Sequence, residues 1–543
     1  MEKKTILAIV LSVLVVFMYQ FFFAPKPDPV GDRVEPAAVE EPQEPAASPD
    51  TVPLQTTRPV TSDKNTVAAT VVKPGIAKEI VVDTPLYRAV FTTRGATLET
   101  FQLKHFKKKL DSESELIELV NSTPDMPLPL SLSFVDSSLL VDSGDFYEVD
   151  RESVTLGQND QETTLTFTQT YPGSVKIEKI FTFHPDDYVI QMDVKLHNLS
   201  PATLQQNAML TWYHYDDPVI ERDRYTHNGP VYLMGKSVKT ADSRDLKIDE
   251  HHGPDISWSG YESKYFIAAM ISQKPALTSL ILNRNARNVV SVQLKGPKNI
   301  IPAGQNALFA YTLYLGPKDY SIMKSLNVGL ENAIDFGSLI KWLSMPLLIV
   351  LKFIFQYVHN YGIAIIILTI FIKIIFWPLG NKSYKSMKEM QKLQPKMQEL
   401  RAKYKDDKQK LSQETMALYK THKVNPLGGC LPILIQIPVF FGLYKVLLYA
   451  IELRHSPFFF WIQDLSAKDP YYITPIIMGA TMFFQQKMTP TMGDPMQAKI
   501  MLFMPVVFTF LFLNFPSGLV LYWLFNNIIS IGQQVYINKY ANV

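Results

Sequence analysis

Apolar runs too long for a water-soluble fold dominate the last two hundred residues of the chain. From Ser338 to Leu379 about forty residues are mostly apolar, interrupted by Lys341, Lys352 and His359. A helix needs about 20 such residues to cross a hydrocarbon core. Further apolar stretches follow at about 428–452, 470–488, 499–515 and 517–537, the last two joined by Pro516-Ser517-Gly518. A purely soluble globule is excluded. Residues 25–330 read as water-soluble protein, and the lone cysteine, Cys430, excludes an intrachain disulfide, so an exported domain here must be held by its own core.

The chain opens on Met1-Glu-Lys-Lys followed by an apolar run, Ile6 to Phe23. That run exceeds a usual signal-peptide core, and Ala24 follows three phenylalanines instead of an Ala-x-Ala pattern, so residues 1–24 are expected to be an uncleaved anchor with a cytoplasmic N-terminus. Nine prolines between Pro25 and Val60, with almost no large apolar residues, make 25–65 a disordered tether.

From 66 to 325 the pattern changes to short alternating runs. Ile190, Met192, Val194 and Leu196 point one way while Gln191, Asp193 and Lys195 point the other, the period of a half-buried strand. Leu165 and Phe167 repeat the sign, and Pro172-Gly173 and Pro185-Asp186-Asp187 read as turns. An exported antiparallel β-sandwich is expected.

Charge sets the topology. Two spans within 338–379 would put 381–427 outside, yet that segment has twelve Lys/Arg against five Asp/Glu, and basic loops stay inside. One span at 358–380 is therefore expected, preceded by an amphipathic helix at 326–357 lying in the interface, on which Leu326, Leu330, Ile334, Leu339, Ile340 and Leu343 recur at helical spacing. With the anchor and the four later stretches this makes six transmembrane helices and a cytoplasmic C-terminus. Phe458, Phe459, Phe460, Trp461, Tyr471 and Tyr472 form an aromatic belt at the outer interface.

Within 381–427, Met390, Leu393, Met397, Leu400 and Tyr404 are spaced 3, 4, 3, 4; after Asp406-Asp407 come Leu411, Thr415 and Leu418. A cytoplasmic helical hairpin is predicted. Its basic side chains, Lys385, Lys388, Lys392, Lys396, Arg401 and Lys403 among them, form either a solvated face attracted to anionic lipid or a docking arm for a partner or nascent chain.

Lys373 lies inside the apolar run with no acidic residue there to pair with it. Either it snorkels to the cytoplasmic face or it is functional. Other polar residues share its depth: Gln436, Gln485 and Gln486, and in the last span Asn526, Asn527, Ser530, Gln533 and Gln534, of which 526, 530, 533 and 534 share a helix face. They either join helices by hydrogen bonds or line a wet cavity open to the cytoplasm and closed outside. Lys445, in an outer half, is expected to snorkel outward. A half-depth cavity does not make a channel, which needs a continuous polar path. It suits a protein that draws a polar stretch of substrate part-way into the membrane.

Met397 to Phe440, including Lys423-Val-Asn-Pro-Leu-Gly-Gly-Cys430 and Leu434-Ile-Gln-Ile-Pro-Val-Phe, closely resembles bacterial YidC-type membrane protein insertases. So do Asp469-Pro-Tyr-Tyr472, Met482-Phe-Phe-Gln485 and Phe515-Pro-Ser-Gly-Leu-Val-Leu-Tyr-Trp523, and, in the exported domain, Thr93-Arg-Gly-Ala-Thr-Leu98 and Lys264-Tyr-Phe-Ile267. The resemblance implies a polytopic α-helical membrane protein with a five-helix insertase core around a cytoplasm-open hydrophilic groove, an anchor, and a periplasmic all-β super-sandwich. It implies insertion and folding of inner-membrane proteins, alone or with the Sec translocon, without enzymatic chemistry, nucleotide or metal. It places the groove charge on Lys373, where many members have arginine, a groove position on Thr369, and a substrate-contacting aromatic on Trp523 beside Tyr522. Any contact with the ribosome or signal recognition machinery would rest on the 381–427 arm; DNA is not an expected partner.

Two rivals come from other classes: a solute transporter using Lys373 as its binding charge, opposed by the lack of evident inverted repeats, and an envelope assembly scaffold whose exported domain is the active part. In that domain Trp212, Tyr213, His214, Tyr215, Asp216 and Asp217 form an aromatic and carboxylate cluster of the kind that grips sugars. The family's sandwich resembles sugar epimerase folds, but fold analogy confers no activity. His251-His252 beside Glu250 is read as a solvated loop and not a metal site; no nucleophile elbow, phosphate loop or zinc spacing is present.

Overall fold

The computed structural model describes residues 76–137, 139, 141–219, 226–246, 248–337, 340–405, 407–422, 424, 431–489 and 495–540. The expected anchor and tether, Cys430 and most of its motif lie outside the described residues.

Alternation builds the β domain. In the strand Val189–Asn198, Ile190, Met192, Val194 and Leu196 are buried and Gln191 and Lys195 exposed. It pairs antiparallel with Val175–Phe183 on one side and Asn306–Pro317 on the other. These are the middle of a nine-stranded sheet whose order continues outward through Phe266–Ser272, Ile256–Glu262, Gly229–Met234 and Ser237–Thr240 at one end and Thr163–Tyr171 and Glu148–Val149 at the other. Two five-stranded sheets complete the domain. One runs Leu116–Glu118, Thr97–Lys107, Tyr87–Thr92, Glu79–Asp83, Ser153–Thr155; the other Glu250–His252, Ser279–Arg284, Val289–Ile301, Leu204–Tyr215, Ser131–Val135. The small sheet's Phe91 packs against Phe167, Phe181 and Phe183 of the large one, with ring centroids 4.8 to 6.2 Å apart. Gly260 is obligatory where strands close up, because a Cβ there would sit 2.0 Å from the Ala268 carbonyl oxygen.

Two lysines are buried here among the described residues, Lys318 paired with Glu262 at 3.0 Å and Lys179 without a carboxylate. Lys179 donates to the carbonyls of Gly95 at 2.6 Å and of Ala96 and Leu130 at 3.3 Å. Burial pulls its ammonium down to about 7.

Nine helices follow among the described residues: α1 (Tyr320–Ser325), α2 (Lys341–Val358), α3 (Tyr361–Lys392), α4 (Gln394–Lys403), α5 (Lys408–Thr421), α6 (Leu431–Tyr449), α7 (Ile473–Met488), α8 (Pro495–Phe512) and α9 (Ser517–Tyr540). α9 packs on α3 and α7, α7 on α8, and α2 on α3 and α6. By length and composition α2 and α3 could each cross a membrane, and Gln436–Tyr449 and Met501–Phe512 are shorter apolar helices. Gly479 sets the close approach of α7 to α8, since a Cβ there would fall 1.9 Å from Thr509 Oγ1.

Several expectations are corrected. Residues 326–337 do not continue the α2 helix. Asn327, Gly329 and Gly337 adopt positive φ of 55°, 74° and 77°, and a single 3-10 turn, Leu330–Ala333, stands between them. Left-handed residues end a right-handed helix. The helix expected to stop at 380 runs on to Lys392, so the 3, 4, 3, 4 series is divided: Met390 lies in the last turn of α3, Leu393 is the joint, and α4 begins with Pro395 in its first turn. Lys445 does not snorkel alone; its Nζ lies 3.2 Å from Asp335 Oδ2. Glu250–His252 is an edge strand instead of a loop, in which His252 Nε2 lies 3.1 Å from Glu250 Oε1 and Nδ1 lies 3.1 Å from the Tyr232 hydroxyl.

Candidate functional site

The last helix carries a polar face into the protein interior. Tyr522, Asn526, Asn527, Ser530, Gln533 and Gln534 are all buried. On an α-helix 522, 526, 530, 533 and 534 fall on one face, and buried polar groups need partners. Each finds one on another helix or its own backbone.

The centre of this seam joins α3, α6 and α9. Lys373 Nζ donates to Ser530 Oγ at 2.7 Å, and Ser530 Oγ donates in turn to the Asn526 carbonyl at 2.7 Å. Gln436 Nε2 donates to Asn526 Oδ1 at 2.5 Å and lies 3.5 Å from the Tyr522 hydroxyl. Nearer the far end, Gln533 reaches Asn381 Oδ1 at 3.0 Å and the Trp377 carbonyl at 3.3 Å, and Gln534 donates to the Met488 carbonyl at 2.8 Å. Asn527 faces α7, its amide 3.4 Å from Thr481 Oγ1.

Lys373 as a residue is half-buried, and no carboxylate among the described residues lies within 4.0 Å of its ammonium. An ammonium has three N–H donors. Ser530 takes one, which leaves capacity for an incoming acceptor.

Of the residues singled out from sequence, Lys373, Gln436, Tyr522, Asn526 and Ser530 form one hydrogen-bonded set. Trp523 sits beside it in an aromatic box, 4.8 Å from Phe440, 6.1 Å from Phe508 and 5.4 Å from Phe512; its buried indole N–H has no partner among the described residues. Thr369 is buried one turn before Lys373, bonded to its own helix at the Ile365 carbonyl. Gln485 lies apart from the set and bonds Tyr384. Asn381, Tyr384 and Thr481 were missed by sequence reasoning. Asn381 and Tyr384 fall just past the expected end of the span at 380, where polar residues carry no signal.

Lys385, Lys388 and Lys392 lie on the extension of α3, and Lys396, Arg401 and Lys403 on α4. Lys385, Lys392, Lys396 and Lys403 are exposed, with Lys396 3.3 Å from His422 Nε2 and Lys403 over the Tyr404 ring. Met390, Leu393 and Val424 form a small apolar cluster against Tyr419, tying this arm to the base of α3.

Two family descriptions match the chain: the 60Kd inner membrane protein over residues 353–542 and the YidC periplasmic domain over 79–350. A Syntrophus aciditrophicus (strain SB) protein named "Membrane protein insertase YidC" is 60% identical, covering 100% of both chains. Proteins of the same name from Geotalea daltonii and Geobacter metallireducens are 44% and 42% identical, covering 99% of this chain and 99% and 98% of theirs. A solved structure described as an active YidC insertase with its first transmembrane domain resolved aligns at a TM-score of 0.37 and 20% identity, over 98% of this chain and 99% of that one.

Proposed function

The chain belongs to the YidC family of membrane protein insertases, and we propose that it admits its clients at the polar seam where Lys373 of α3 meets Ser530 of α9. It is a non-enzymatic inner-membrane insertase acting on newly made membrane proteins, with a periplasmic all-β domain.

The observation that carries the seam is Lys373, a half-buried residue whose ammonium is held by the Ser530 hydroxyl and is unpaired with any described carboxylate. Moving a polar segment across lipid costs several kcal/mol for each unsatisfied backbone group. A seam offering Lys373, Gln436 and Asn526 as partners lowers that cost over the cytoplasmic half of the crossing, and a cation there favours acidic or neutral segments. In this reading the seam is a cytoplasm-open groove, with Thr369, Tyr522, Trp523 and Asn527 in its wall and Gln485 at its mouth.

Contacts at the opposite end support the orientation. The start of α3, the end of α6 and the start of α9 all meet the loop 450–469: Asn360 bonds the Phe458 carbonyl at 3.2 Å and Ser517 Oγ the Asp464 carbonyl at 2.8 Å. Arg454 in that loop donates to the carbonyls of Lys107 and Lys108 in the β domain. These contacts support reading that end as periplasmic and, with it, the basic arm and the C-terminus as cytoplasmic. Lys341 pairs with Asn332, and eleven residues on, about 16 Å along the helix, Lys352 lies 3.2 Å from Asp319. These two contacts tie α2 to the segment 319–332 that follows the last strand, which supports reading it as an interfacial helix. The arm's exposed lysines suit docking of ribosome, signal recognition machinery or nascent chain, and the Sec translocon is the expected membrane partner.

The test is photocrosslinking of a stalled single-span client. A crosslinker at Gln436 should capture the client's polar segment, and one at lipid-facing Ile477 should capture it far less. Equal capture at both positions would remove the seam as the entry site.

A further inference from the structure

The basic arm is carried on the end of α3, and α3 has a weak point on the way to it. Pro378 lies inside that helix, with Gly380 and Asn381 just after it. A proline has no N–H for the carbonyl four residues back, here Ile374, and its ring crowds that carbonyl, so a helix bends most easily there. Gly380 adds the poorest helix former after proline. From 381 to 392 α3 runs on for about 18 Å, and at its end Met390 and Leu393 pack against Val424 and Tyr419 of the arm. A 20° change of bend at Pro378 therefore moves the base of the arm by about 6 Å.

One side chain from another helix straddles this point. Gln533 of α9, 5% exposed, donates from Nε2 to the Trp377 carbonyl at 3.3 Å, before the proline, and to Asn381 Oδ1 at 3.0 Å, after it. The amide sits in the notch left by Gly380, where a Cβ would fall 2.7 Å from Gln533 Nε2. Lys373, Trp377 and Asn381 follow one another at four-residue spacing on one face of α3. Ser530 holds the first of them, and the Tyr536 ring lies 6.3 Å from the Trp377 ring. Those contacts would join α3 to α9 without Gln533. What Gln533 adds is a bond on each side of the proline, using both amide hydrogens.

We propose that Gln533 is a positioning residue for insertion: it fixes the bend of α3 at Pro378 and thereby the angle at which the basic arm stands to the client seam. The assignment rests on the seam as the entry site, since an arm that receives a client must hand it to that site at a set angle.

The experiment uses the full chain in lipid nanodiscs, with Cys430→Ser and spin labels on Gln398→Cys of α4 and Asn538→Cys of α9, both exposed positions. Pulsed electron paramagnetic resonance reads the distance distribution, and unlabelled variants are scored for client insertion in proteoliposomes. Gln533→Met keeps the side chain's length and removes both donors; the distribution should at least double in width and insertion should fall about threefold or more, the scale of one net hydrogen bond. Gly380→Ala fills the notch and displaces the amide. Helix propensity alone would stiffen α3 and narrow the distribution in that variant, whereas loss of the clamp broadens it. Gln534→Met, which loses a bond to the Met488 carbonyl of α7, should lower the melting temperature at parent width, separating lost stability from lost position. If Gln533→Met misfolds, Gly380→Ala alone decides. A distribution as narrow as the parent's in either folded variant, or broadening with parent-level insertion, overturns the assignment. Failure of the seam itself would show separately, as equal client capture at Gln436 and Ile477 in the parent.

Discussion

Lys373 and Ser530, 157 positions apart, meet at 2.7 Å, with the serine hydroxyl donating its own hydrogen bond to the Asn526 carbonyl. The cation is thereby held by a neutral group that cannot cancel its charge, which keeps it available to a passing client. Ser530→Ala removes that anchor but not the charge. Proteoliposome insertion of a client with an acidic tail should fall about threefold, the ~0.6 kcal/mol at the low end for one net hydrogen bond, and remain well above that of a variant lacking the lysine.

Gln436 and Asn526 bridge α6 and α9 at 2.5 Å. Asn526→Leu or Gln436→Leu alone strands a polar partner and should cost about 1–3 kcal/mol, read as a lower melting temperature in nanodiscs. The double variant should recover most of that loss, because replacing both partners with apolar groups of similar shape is close to neutral, yet it should insert clients poorly. Additive losses in the double variant would show that the two residues act independently.

Lys352 Nζ lies 2.8 Å from Glu452 and 3.2 Å from Asp319, which also caps α1 through the amides of Ser321 and Ile322. The lysine thus ties α2 to the loop after α6 and to the base of the β domain. Lys352→Met should raise hydrogen exchange in α1 and around 450–454 severalfold while leaving the strands of the large sheet protected. Unchanged exchange at both sites would show that the tie contributes nothing to their order.

Lys179 gives the β domain a pH signature. With its folded ammonium lowered to about 7 by burial, the unfolded chain binds the extra proton between that value and the ordinary lysine range, so stability rises with pH across this window. From pH 7 to 9 the gain should be about 2 kcal/mol in denaturant unfolding, and Lys179→Met should flatten that rise. A parent curve as flat as the variant's would mean that Lys179 stays charged throughout.

Local pattern was readable and distant pairing was not. Alternation from Ile190 to Leu196 placed a strand correctly because side-chain period and burial are properties of neighbouring residues. The polar face of α9 was readable for the same reason. Helical spacing from Leu326 to Leu343 misled, since the left-handed backbone at Asn327, Gly329 and Gly337 overrides an apolar period. Lys445 was expected to snorkel outward because its partner, Asp335, is 110 positions away. Gln485 was grouped with Lys373 by depth alone, but depth does not say which helix face it occupies, and its partner is Tyr384. Among the seam residues, hydrophobic pattern located the polar atoms and only packing determined which of them meet.

The central claim rests on the charge of Lys373, and reconstituted insertion tests it most directly. Purified protein in proteoliposomes is scored by protease protection of a small single-span client with an acidic exported tail, comparing the parent with Lys373→Arg and Lys373→Ala. The account predicts that parent and arginine variant insert the client and that the alanine variant falls at least about tenfold, the ~1.4 kcal/mol of a modest charge interaction. Equal insertion by all three would contradict it.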